Sequence, residues 1–251
     1  MLTDIYSKNS MRLDKFLADM GVGKRSDIRK EIRAGRVSVG REILRDPGAH
    51  VSETDEIFYR GKPVRYETFV YYMLNKPAGV ITATEDKRQQ TVLDLIAEQK
   101  RKDLFPVGRL DRDTEGLLLI TNDGDLAHRL LSPKHHVDKT YLVQTDLPIT
   151  GEDADVFAKG FQVDEELTAM PADLRLLPDK GPAWAYITIR EGKFHQIKRM
   201  FQARGKNVVY LKRISMGTLR LDETLSPGEY RRLTNEELGA LLALAGREQS
   251  D

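Results

Sequence analysis

From Arg12 onward, apolar residues fall at Leu13, Phe16, Leu17 and Met20, the three- and four-residue spacing of one helix face, and the pattern stops at Gly21. Ser26 is placed as the N-cap of a second helix. Its buried side is Ile28 and Ile32, its projecting side Arg29, Lys30, Arg33 and Arg36, and Gly35 ends it. Short strands follow in RVSVG, EILRD and the two arms of DEIFYRGKPV, with turns at Asp46-Pro47-Gly48 and at Gly61. Residues 1–10 are polar and aperiodic, which predicts a disordered extension ahead of a module at 11–62. Residues 63–70 (PVRYETFV) mix a proline with charges and predict a linker.

A second domain is expected from Tyr71 to Asp251. It opens with two strands around a Lys-Pro-Ala-Gly turn in YYMLNKPAGVITAT and a helix at 91–98 capped by Thr91. The apolar run LLLIT, the helix DLAHRLL, the strand KTYLVQT and the acidic helix EDADVFAKG come next. Strands in ADLRLLP and AWAYITIRE, the helix FHQIKRMFQARG, the strand NVVYLKRI and a helix from Asn235 complete it. Strands interrupted irregularly by helices predict an α+β domain, with a mixed, largely antiparallel sheet flanked by helices, and not a βαβ repeat.

Charge changes this picture by its distribution. The chain has 251 residues, 40 Lys and Arg against 39 Asp and Glu, and a formal charge of +1. Yet residues 12–45 hold ten basic residues against five acids, 190–213 hold eight against one, and 151–179 reverse the balance with two against eight. Clustered basic residues in a neutral chain are the footprint expected where phosphates bind, while a solvated helix face is the ordinary reading of any single cluster. The absence of Cys excludes disulfides, thiolate zinc sites, iron–sulfur clusters and thiol nucleophiles, and fits a reducing compartment, with the cytoplasm expected. No apolar run approaches the roughly 20 residues of a membrane span, so no membrane partner is expected.

The densest chemistry lies in GRLDRDTEG at 108–116, followed by LLLIT and Asn122-Asp123-Gly124-Asp125. A calcium loop starting at Asp111 fails because its twelfth position is Asn122 and residues 117–120 are apolar. A metal-dependent nuclease could use Asp111, Asp113, Asp123 and His135 or His136, although no His-x-x-x-His spacing supports it. A solvated Asp- and Gly-rich turn is the remaining reading. His135 and His136 are expected in a strand on opposite faces, Trp184 in the core, and His195 packed or hydrogen-bonded within its helix.

RLDKFLA at 12–18 and GRVSVGRE at 35–42 resemble the S4 RNA-binding domain. GRLDRDTEGLLLITNDG at 108–124 is similar to the catalytic motif of the pseudouridine synthases, specifically ribosomal enzymes with an S4 domain in front. LNKPAGV at 74–80, KTYLV at 139–143 and EGKFHQIKRMF at 191–201 match further motifs of that family in order. The resemblance implies isomerisation of uridine to pseudouridine, without cofactor or metal. It makes Asp111 the essential carboxylate, either a nucleophile at ribose C1′ or base C6 or the base that removes a C2′ proton. It puts Tyr141 on the flipped uracil and pairs Lys198, where many relatives have Arg, with Asp111. Arg109 and Arg199 are then expected on the RNA beside the pocket, and Arg29, Lys30 and Arg33 on phosphates bound by the S4 module. The small-subunit branch carries Lys in this motif, so 16S rRNA, or a small-subunit assembly intermediate, is the expected substrate and the enzyme is expected to be a monomer. The alternatives are a 23S rRNA enzyme of the same superfamily, and a non-catalytic rRNA-binding assembly factor.

Overall fold

The computed structural model describes residues 10–64, 67–96, 103–132 and 135–246. The extension predicted at 1–10 lies, apart from Ser10, outside the described residues. The chain divides into two units, one drawn from residues 1–69 and 97–104, the other from 70–96 and 105–251. Asp103 and Leu104 therefore belong with the N-terminal unit, an excursion that a single linear boundary does not anticipate.

The N-terminal unit runs β1 (Met11–Arg12), α1 (Leu13–Asp19), α2 (Arg25–Arg33), β2 (Val37–Val39), β3 (Glu42–Leu44), β4 (His50–Val51), β5 (Ile57–Tyr59) and β6 (Lys62–Val64). The antiparallel sheet has the order β3-β2-β5-β6, and β1 pairs with β4. Leu13, Phe16 and Leu17 of α1 and Ile28 and Ile32 of α2 form one core with Val37, Val51 and Ile57, the face that the spacing predicts. Two details differ from the sequence reading. The N-cap of α2 is Lys24, with no side-chain cap, so Ser26 lies inside the first turn, where Asp27 meets the helix dipole. Pro63 and Val64, expected in the linker, pair with Phe58 and Ile57; Pro63 is tolerated because β6 is an edge strand.

The second unit contains β7 (Tyr71–Lys76), β8 (Phe105–Pro106), β9 (Glu115–Thr121), α3 (Gly124–Leu131), β10 (Lys139–Thr145), α4 (Gly151–Lys159), β11 (Phe161–Gln162) and β12 (Thr168–Ala169). It continues with β13 (Asp173–Leu176), β14 (Trp184–Ile189), α5 (Gln196–Ala203), β15 (Val208–Met216), β16 (Leu219–Arg220), β17 (Tyr230–Arg232) and α6 (Asn235–Leu244). The sheet order is β13-β14-β10-β15-β9-β7-β17, with β16 on β15 and β8 on β9. All pairings are antiparallel except β15 with β9, so the sheet is mixed and largely antiparallel. Leu126, Ala127 and Leu130 of α3 and Leu241 and Leu242 of α6 pack against Met73, Leu117, Leu119 and Met216 of the sheet.

At the parallel junction Gly116 has φ +99° and faces Arg213 so closely that a Cβ would collide with its carbonyl oxygen, so only glycine fits. The strand predicted after the Lys-Pro-Ala-Gly turn is reduced to one bridge between Ile81 and Thr91. The helix predicted at 91–98 is a single 3₁₀ turn, Leu93–Leu95, closed by hydrogen bonds between Thr91 and Asp94; residues 97 and 98 lie outside the described set. One turn suffices to bury Val92, Leu93 and Ile96. His135 and His136 are not in a strand: His136 has φ +46° and β10 starts only at Lys139, so the opposite-face argument does not apply. No helix among the described residues is long and apolar enough to cross a membrane.

Candidate active site

The loop before β9 carries Asp111, and buried polar groups fix its course. Thr82 Oγ1 donates to the Leu110 carbonyl at 2.7 Å and accepts from the Leu110 amide at 3.2 Å. Lys76 at the end of β7 is fully buried, and its ammonium donates to the carbonyls of Thr114 at 2.8 Å, Pro77 at 2.9 Å and Arg112 at 3.3 Å. Burial pulls its pKa down to about 8, against the pull of Asp113, Glu115 and Asp111. Three carbonyls match the three ammonium protons, so the LNKPAGV segment clamps the Asp111 loop, a role invisible to a reading that saw only a turn.

Helix α5 approaches from the other side. Ile197, Met200 and Phe201 are buried, with Phe201 against Phe157 at 5.0 Å between ring centroids, and this fixes the rotation of the helix. Lys198 then reaches Asp111 Oδ2 at 3.1 Å, the pair that the sequence predicts. Its nearer partner is Asp113, at 2.6 Å, a contact that the sequence reading did not assign. Burial disfavours the ammonium, but the hydrogen bonds to Asp113 and Asp111 outweigh it and raise the pKa. Burial likewise opposes ionisation of Asp113, yet Lys198 holds its carboxyl below the usual range. A compact ammonium can serve two carboxylates at once, which suits Lys better than the planar fork of Arg.

His195, expected to pack or hydrogen-bond within its helix, is the N-cap of α5, where its carbonyl accepts from the Arg199 amide at 2.9 Å. It lies in the left-handed region, φ 50° and ψ 28°, and its side chain is turned out of the helix, with Nε2 3.5 Å from Asp111 Oδ1. Tyr141, on the buried face of β10, lines with Arg109, Asp111 and Lys198 an open cleft. Leu110, Ile189 and Leu211 supply apolar wall. The Thr114 hydroxyl, at the same cleft, is buried without a hydrogen-bond partner among the described residues. The structure therefore assembles a half-exposed carboxylate, a phenol ring and a shared cation around one space of mixed polarity.

Arg199 does not join them. One residue along a helix turns the side chain by about 100°, and its guanidinium instead forms a fork to Asp164, at 2.5 and 2.8 Å. In the N-terminal unit, Arg29 donates to Asp14 at 2.7 Å, Lys30 meets Asp27 at 3.3 Å and Arg33 is exposed. Asp14 is fully buried and also receives Arg25 at 2.9 Å and Arg12 at 3.2 Å. Burial opposes its ionisation, but the bonds from Arg25, Arg12 and Arg29 hold its carboxyl well below the usual range. The metal set considered for a nuclease is dispersed: buried Asp123 caps α3 through the Leu126 amide at 3.0 Å and accepts from the Tyr71 hydroxyl at 2.8 Å. Among the described residues no group of three or more His, Asp or Glu converges for a metal ion.

Comparison with known proteins agrees with this geometry along the chain. A model of the RNA pseudouridylate synthases matches residues 70–203 and one of the S4 domain matches 11–57. The chain is 42% identical to the ribosomal small subunit pseudouridine synthase A of Escherichia coli over 234 residues, covering 92% of this chain and 100% of that one. It is 50% identical to the RNA pseudouridine synthase YtzG of Bacillus subtilis, covering 92% and 98%. A crystal structure of a pseudouridylate synthase superposes with a TM-score of 0.65 at 39% identity, covering 92% and 99%. The carboxylate loop, the tyrosine strand and the lysine helix all fall within the matched span, and the chain belongs to the RNA pseudouridylate synthase family, with an S4 domain in front of the enzyme.

Proposed function

We propose that this pseudouridine synthase isomerises a specific uridine of small-subunit ribosomal RNA, with Asp111 as the reacting carboxylate, Tyr141 on the extruded uracil and Lys198 holding Asp111 ionised and oriented. The observation that supports it is the Lys198 bridge: 3.1 Å from Asp111, on the wall that Tyr141 also lines. The reaction must break the N1–C1′ bond, turn the uracil and rejoin it through C5. A carboxylate can open this sequence at C1′, at C6 or at the C2′ proton, and a phenol can approach the C5 proton that leaves. Arg109 at the cleft is suited to the phosphate or the vacated stack left by extrusion, which costs a few kcal/mol. The long match to the Escherichia coli small-subunit enzyme supports the choice of rRNA, and the basic face of the N-terminal unit supports docking through phosphates.

The reading assigns RNA docking to the N-terminal module and chemistry to the domain from residue 71, in a monomer acting in the cytoplasm on rRNA or on an assembly intermediate. Pseudouridine mapping across both ribosomal RNAs, from cells with and without the gene, tests it. A single small-subunit position should vanish with the gene and return when purified enzyme meets unmodified transcript in EDTA. Loss of a large-subunit position instead would transfer the enzyme to 23S rRNA, and no change in either RNA would remove the ribosomal assignment.

A further inference from the structure

Among the described residues Phe194 is the most exposed of the large hydrophobic side chains, 73% accessible, and it lies in the chain between Lys193 and His195, which both line the cleft. An exposed phenyl on a loose loop would mean little, but this loop is fixed. Glu191 accepts from the Gln196 side chain at 2.6 Å, Gln196 accepts from the Lys193 amide at 3.1 Å, and the Gln196 amide returns to the Lys193 carbonyl at 3.2 Å. Together they hold His195 in the left-handed conformation, which residues other than glycine seldom adopt. The consequence is a pair of parallel rings: Phe194 lies on the His195 imidazole at 3.9 Å between centroids and 16° between planes. The imidazole in turn touches Asp111 at 3.5 Å. One face of Phe194 is thus covered by His195, whose ring lies near the carboxylate, and the phenyl stays largely open to solvent.

We propose that Phe194 is a stacking platform for a nucleobase of the substrate RNA next to the extruded uridine. The proposal rests on the pseudouridine synthase reading given above. The occupant is a neighbour and not the reacting base, because Tyr141 and Asp111 line the cleft while Phe194 stands outside it, beyond the His195 ring. The ring directly follows Lys193 in the chain, and Lys193 and Arg109 line the adjoining cleft. An aromatic face with cations nearby is the combination that single-stranded nucleic acid binds, with rings for bases and cations for phosphates. A base extruded from folded RNA leaves a neighbour that has lost one stacking partner, and a fixed phenyl replaces it.

The test uses the full chain with a small-subunit rRNA transcript. Phe194→Ala and Phe194→Leu should both raise KM about tenfold, the Leu variant because it keeps an apolar side chain but loses the stacking face, whereas Phe194→Tyr and Phe194→Trp should stay within about twofold. In all four, kcat should be unchanged. Phe194→Trp also supplies a direct reading: RNA should quench its indole emission beyond the signal of wild type, which contains only Trp184. A Leu variant with wild-type KM, a loss confined to kcat, or an indole that RNA does not quench would each overturn the platform. Absence of pseudouridine in the wild-type reaction would break the substrate assignment alone, since quenching by RNA decides the stacking without turnover.

Discussion

The tripeptide Arg-Leu-Asp occurs at 12–14 and again at 109–111, and its two aspartates end in opposite conditions. Leu13 and Leu110 are both buried anchors. Asp14 lies in the first turn of α1, and the next helix brings Arg25 and Arg29 onto the same carboxylate that Arg12 already holds. Asp14 is dry, with each oxygen accepting from two guanidinium nitrogens at 2.7–3.3 Å. After Asp111 the chain turns into the strand β9, so its neighbours come from far away, in Lys198 and His195. Its side chain remains 26% exposed on an open cleft. A saturated carboxylate organises cations, and an unsaturated one is available for chemistry. The surrounding elements decide which, because the local sequence is the same.

Substituting each aspartate should separate the two roles. Asp111→Asn should lower pseudouridine formation by about 10³-fold or more while RNA binding persists, measured by single-turnover conversion and filter binding. Because the side chain is partly exposed, its Tm should move by no more than about 2 °C. Asp14→Asn should do the reverse. It leaves three guanidiniums around a neutral amide and should cost the N-terminal unit about 3 kcal/mol in urea unfolding, with kcat on saturating RNA retained. Equal destabilisation by the two changes would break the comparison.

A smaller effect probes the cation. Lys198→Met should lower kcat by roughly tenfold to a hundredfold, leaving Asp111 with His195 alone, and Lys198→Arg should recover most of it. Incomplete recovery would reflect the second carboxylate, since a fork aligned on Asp111 does not automatically reach Asp113. Wild-type activity in the Met variant would leave Lys198 with no part in orienting Asp111.

The periodicity of α1 and α2 is legible in the sequence because each buries one face, and Leu13, Phe16, Ile28 and Ile32 all lie where spacing puts them. The motifs likewise point to Asp111, Tyr141 and Lys198, which share one cleft. What remains hidden is whatever depends on the direction of a single side chain. Arg199 looks like a second cleft cation until the burial of Ile197, Met200 and Phe201 fixes the helix and turns it to Asp164. Lys76 reads as part of a turn because its partners are backbone carbonyls, which no residue type announces. His195 is drawn to Asp111 by a backbone conformation that neither propensity nor motif spacing encodes. Asp14, one of five acids beside ten basic residues in its window, counts in a charge sum as a small subtraction although it gathers three of the ten.

Acid offers the finest test of that gathering. The folded carboxyl of Asp14 lies below the unfolded value of about 3.9, so between the two the unfolded chain binds more protons and stability falls as pH falls. The contribution is complete above about pH 5 and disappears as pH drops through the folded value. Urea unfolding of wild type and Asp14→Asn should therefore differ by a constant amount from about pH 7 to 5, and the difference should begin to narrow below about pH 4. Buried Asp153, held down to about 2 by the Thr150 backbone, Lys206 and Arg204 despite desolvation, makes the second unit acid-sensitive too, but equally in both proteins. Added salt should leave the neutral-pH gap largely intact, because pairs in contact with a dry carboxylate are screened little. A gap that persists undiminished to pH 3 would mean that the Asn variant loses packing and not charge, and the first Arg-Leu-Asp would then differ from the second in shape alone.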